Sequence, residues 1–130
     1  MPSMSWSVTL QISGSPALAV ARAPVDVEAV DRIEAVIAPG DNNKVLDIQP
    51  GGLGAIHVLL IKSSSYGPHM SFKVSDGVAD SNSVVLDSPQ LFSGGGVALF
   101  NLAPRQLKLS NSSTDQSATV EILVARDATP

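Results

Sequence analysis

The sequence predicts an all-β protein: one antiparallel β-sandwich, jelly-roll-like, of about nine short strands. Three observations carry this. Apolar and polar residues alternate with period two, most clearly over Trp6–Ile12, Met70–Val74 and Ala118–Val124. Gly, Pro, Asn and Asp break these runs at intervals of about 8–12 residues. The 130 residues suit a single domain, and no internal repeat, charge run or linker divides 1–130. Residues 1–4 and 127–130 read as tails.

Each element has its own signal. Trp6, Val8, Leu10 and Ile12 face one way and Ser5, Ser7, Thr9 and Gln11 the other, a half-buried strand that Gly14-Ser15-Pro16 ends. Ala17–Val20 reads as a short second strand before Pro24. The stretch 25–37 is ambiguous. Val27, Val30, Ile33 and Ile37 would line a helix that Pro24 could start, whereas Ile33, Ala35 and Ile37 would line a strand. The β neighbours favour the strand, with one short helix near 25–37 as the alternative.

Pro39 to Asn43 and Pro50-Gly51-Gly52 read as turns on either side of a strand carrying Leu46 and Ile48. Ile56–Lys62 is apolar on both faces apart from His57, as in a central strand. Ser63 to Pro68 is a loop, then Met70, Phe72 and Val74 alternate with Ser71, Lys73 and Ser75 up to the Asp76-Gly77 turn. Val84 and Leu86, Val97–Leu102, and Leu107 with Leu109 give further strands. Asn111–Asp115 turns the chain into the last one, Ala118–Val124.

Composition limits the function classes. There is no cysteine, which excludes disulfides, thiolate metal sites and Cys nucleophiles. The net charge is −4, and the eight basic residues are scattered, so no nucleic-acid partner is expected. No apolar run approaches the ~20 residues of a membrane helix, so no membrane insertion is expected. The N-terminus lacks the basic-then-apolar pattern of a signal peptide. The chain therefore reads as soluble.

The chemical motifs are weak. His57 and His69 could meet on adjacent strands and hold a metal with Asp47 or Asp76, but a catalytic site wants a third protein ligand at sensible spacing. Asp76, Asp80 and Asn82 share a loop, yet the alternating register and closing Glu of a calcium loop are missing, and Asp41-Asn42-Asn43 is similar. No metal site and no cofactor is expected. Gly51-Gly52-Leu53-Gly54 and Gly94-Gly95-Gly96 lead into strands, as turns or bulges do, and no phosphate loop follows. Ser63–Ser65 with His69 and Asp76 could form a triad only formally, without a nucleophile elbow. Asn111-Ser112-Ser113 matches the glycosylation triplet, a short pattern that recurs by chance. Among the aromatics, Tyr66 is the exposed candidate, and Phe72 and Phe100 fall on strand positions suited to the core.

The surface is the stronger signal. Only 15% of the chain is charged, against a usual quarter. Trp6–Ile12 carries no charge and Ser117–Leu123 only one, so either would accept another chain at a sheet edge. Val84–Leu86 and Val97–Phe100 are apolar on both faces, which suggests a subunit contact. Trp6, Val8, Leu10, Val85 and Phe100 are the interface candidates. The expectation is a non-enzymatic structural protein that assembles as a homo-oligomer, a trimer or larger, with other protein subunits as further partners. In size, strand rhythm and Ser/Gly/Ala/Val composition the whole chain resembles the small all-β accessory proteins of phage particles. That likeness implies a place in a virion or another extracellular assembly. The alternative is a carbohydrate- or calcium-dependent recognition module using Tyr66, His69 and the Asp41 and Asp76 loops. A cupin-like enzyme would need more histidines than two.

Overall fold

The computed structural model describes residues 2–48 and 56–127. Among these residues ten strands follow in order: β1 Ser3–Leu10, β2 Leu18–Asp26, β3 Ala29–Ile37, β4 Lys44–Asp47, β5 Ile56–Ser63, β6 Met70–Ser75, β7 Val84–Val85, β8 Gln90–Ser93, β9 Gln106–Asn111 and β10 Ala118–Arg126. Two sheets of four strands run in the order β3-β10-β5-β8 and β4-β9-β6-β7. Strands β3 and β10, β4 and β9, β5 and β8, and β6 and β7 all pair antiparallel. This nesting is what results when one long antiparallel hairpin is rolled into two layers, the jelly roll. The stretch 25–37 resolves as strand β3, and β1 begins within the stretch read as a tail.

The period-two pattern places the core between the layers. Leu59, Ile61, Val120 and Ile122 from one sheet meet Phe72, Val74, Leu107 and Leu109 from the other, all essentially inaccessible. Each such side chain contributes about 1.5–3 kcal/mol by leaving water. Phe100 sits among them, its ring centroid 4.8 Å from Phe92 and 6.4 Å from Phe72. Its expected role as an interface residue is therefore corrected: it is core. So is the strand expected over Val97–Leu102. Gly94–Phe100 is a 3-10 helix with Val97 and Phe100 buried, closed by Asn101 in the left-handed region. Its three-residue repeat turns Val97 and Phe100 to the same side.

One end of the roll is tied by a buried amide. Asn111 donates from Nδ2 to the carbonyls of Ile37, at 3.1 Å, and Gln116, at 2.7 Å, while its Oδ1 accepts from Ser113 N–H at 3.0 Å. A side chain only 1% exposed is closed to glycosylation, whatever its triplet. Asn111→Ala would strand two carbonyls and an amide, each costing about 1–3 kcal/mol. Urea unfolding should show a loss of at least ~2 kcal/mol, and a loss within error of zero would refute this role.

Candidate interaction surface

β1 and β2 lie outside the roll as a separate two-stranded hairpin. Its turn follows from Gly14, at φ 81°, with Ser15 N–H donating to Ile12 C=O. Trp6 faces Arg22 and Met4 faces Val25, so Ala23 and Pro24 together oppose Ser5. Such a two-against-one bulge suits a proline that has no N–H to give. It carries β2 through Pro24 to Asp26, well beyond the short strand predicted there.

The hairpin has one apolar face, with Met4, Trp6, Val8 and Leu10 opposite Val25, Arg22, Val20 and Leu18. Its root is docked. Met4, Trp6 and Val25 pack with Leu60 on Val27, Val58 and Ala125, over the outer face of the β3-β10-β5-β8 sheet. Trp6 Nε1 and Arg22 Nε are buried there without an acceptor among the described residues. Its tip is not docked. Leu10, Ile12, Leu18 and Val20 are 57, 67, 66 and 52% exposed, and every residue from Thr9 to Ala21 is exposed. Nor does charge protect it, since residues 1–21 contain no Asp, Glu, Lys, Arg or His. An isolated two-stranded hairpin is marginal in water, and contiguous exposed apolar surface marks an interaction site. Of the interface candidates, Leu10 lies on this tip, Trp6 and Val8 are half-buried nearer the root, and Val85 is exposed on edge strand β7. Ile12 ends the uncharged stretch read from the sequence as a pairing edge but is not among the interface candidates, and neither are Leu18 and Val20. The signal that finds them is the unbroken uncharged run on both sides of the Gly14 turn.

The polar candidates are scattered. Ser117–Leu123 is no edge, since β10 pairs on both sides. Tyr66 is no exposed platform: it packs on the core and its hydroxyl accepts from Ser63 N–H at 3.0 Å. His69 Nε2 lies 2.9 Å from Ser65 Oγ, but Asp76 stands beyond the far end of β6, about 17 Å of strand away, so the three form no triad. His57 lies at the opposite end of β5 from the His69 loop and pairs with Asp127 at 2.9 Å, so the two histidines do not meet. The Asp41 turn bonds to Asn111, whereas the Asp76 loop follows Ser75, which pairs with Gln106 at the other end of β9. The two acidic loops therefore occupy opposite ends of the roll and share no ion. Among the described residues no three His, Asp or Glu side chains gather as a metal site. No helix there is long and apolar enough to cross a membrane.

Comparison with known protein families, curated proteins and solved structures finds no match.

The Asp76 and Asp80 carboxylates serve their own loop. Asp76 Oδ1 accepts from the amides of Ala79, at 2.7 Å, and Val78, at 2.8 Å, and these bonds lower its pKa from 3.8. Asp80 is lowered likewise, first by its bond to Lys108 and then by Ser75. A lowered native pKa means that the unfolded chain takes up the proton first. The stability these groups contribute is present above about pH 4 and is lost as pH falls through their native values. Thermal unfolding should show Tm dropping below pH 4 less steeply in Asp76→Asn and Asp80→Asn than in the parent. Parallel curves would contradict the assignment.

Proposed function

We propose that this protein is a non-enzymatic structural component that assembles with copies of itself through the β1–β2 arm. One observation carries the reading: the arm's apolar face is covered at the root and bare at an uncharged tip. A monomer gains nothing from holding Leu10, Ile12, Leu18 and Val20 in water. A neighbouring copy that covers them gains about 25 cal/mol for each Å² of apolar surface removed. The absence of charge favours an apolar protein surface as the occupant over nucleic acid or an acidic ligand. An arm from one copy seated on a different patch of the next makes a head-to-tail contact, which closes as a ring when the rotation permits. Three or more copies follow. The size and composition shared with phage-particle accessory proteins make a particle surface the natural setting.

Size-exclusion chromatography with light scattering tests this. The chain should run as three or more copies at micromolar concentration. Leu10→Ser with Leu18→Ser should weaken or abolish that assembly while leaving a folded chain with the parent's circular dichroism spectrum, because neither residue belongs to the core. A monomer in the parent, at every concentration, would overturn the proposal.

A further inference from the structure

The edge strand β3 offers a surface for a second, different contact between copies, and this inference rests on the assembly reading above. β3 is nine residues long, pairs with β10 without a register break, and among the described residues has no strand partner on its other side. Such an edge is a template for another strand, which native proteins usually block with proline, bulges or central lysines. Besides its own Arg32, one cation reaches it from β4: Lys44 Nζ donates to Val36 C=O at 2.9 Å, at the end of the strand. The middle of the edge is open.

Its side chains show what it accepts. Val30, Arg32, Glu34 and Val36 point to the outer face, all exposed, with the two valines 45 and 54% accessible. Asp31 is already paired with Arg126 Nε at 2.9 Å. Among the described residues Arg32 and Glu34 form no ion pair within the chain. Glu34 stands in register beside Glu121, with Lys62 beyond it. Like charges directly opposite in a sheet repel, so Glu34 has an acid on its inner side and nothing on its open side. A cation there would give the two adjacent acids, Glu121 and Glu34, one cation on each side.

We propose that two copies join β3 to β3 antiparallel about a two-fold axis at Ile33. Residues can face one another only if the outer face meets the outer face, which restricts the axis to pass through a residue position. An axis at Arg32 sets arginine against arginine, and one at Glu34 sets glutamate against glutamate. An axis at Ile33 sets Arg32 opposite the partner's Glu34, twice by symmetry. It also sets Val30 opposite the partner's Val36, again twice. The charge row becomes Lys62, Glu121, Glu34 and the partner's Arg32. The two sheets become one continuous sheet of eight strands. Because the contact is two-fold, an assembly that contains it holds an even number of copies.

Charge reversal and rescue test the register. Arg32→Glu places glutamate against glutamate at both ends of the contact and should raise its dissociation constant about tenfold or more. The swap of Arg32→Glu with Glu34→Arg in one chain should return it to within about threefold of the parent. The natural chain lacks cysteine, so co-expressed Val30→Cys and Val36→Cys chains should give a mixed disulfide dimer. Directly opposite residues stand about 5.5 Å apart, within disulfide reach. Val30→Cys alone should give none. An assembled parent with an odd copy number, an absent mixed disulfide, or a swap no tighter than Arg32→Glu would overturn the β3 contact and leave the arm reading standing. A monomeric parent would remove both.

Discussion

The two-sided pairing of β10 is the constraint on which the molecule depends. The last strand runs between β3 and β5 and is matched residue for residue to β3 over Ala118–Arg126. Its inward residues, Val120, Ile122 and Val124, are fully buried, so a one-residue slip would turn them to water and bring Glu121 and Leu123 inside. Until this strand arrives, β3 and β5 have no common neighbour and one layer of the roll is open. Pairings that join the start of the roll to its end make folding slow, because loop closure precedes any gain from contact.

The same closure explains why the arm is excluded. The inner faces of both sheets are filled, and aromatic contacts among Phe72, Phe92 and Phe100 close the space beside the 3-10 helix. The first two strands can only lie outside. They hold on by Met4, Trp6 and Val25 against the outer face of the sheet whose inner face is the core. The proposal ties together the low charge of the chain, its bare arm tip and the open hydrogen-bonding edge of β3. On the proposed reading, surface that one copy leaves bare is covered by another.

Much of the fold was legible in the sequence because one-sided burial leaves period two. The faces of Met70–Val74 and Ala118–Val124 follow correctly from the alternation, whereas in Trp6–Ile12 the strand ends at Leu10, and Leu10 and Ile12, expected to be covered, are exposed. The 3-10 helix was missed because Val97, Ala98, Leu99 and Phe100 are all apolar and show no alternation. The informative spacing was Val97 to Phe100. Strand β2 was cut short because Pro24 is a breaker in a central strand and acceptable in a bulged edge. The site was half legible: Trp6, Val8 and Leu10 pointed to the arm, but a strand's alternation does not reveal whether its apolar face meets its own core. Strand order lay beyond local pattern, and with it the edge status of β3, the interior position of β10 and the separation of the Asp41 and Asp76 loops.

Amide hydrogen exchange across a dilution series tests the central claim most directly, that the arm is covered by another copy. Amides of Val8–Leu10 and Leu18–Val20 should be protected in concentrated protein and exchange rapidly once it is diluted, while those of β5 and β10 stay protected throughout. Rapid exchange along the arm at every concentration, with the roll protected, would mean that its apolar tip stands in water and would contradict the account.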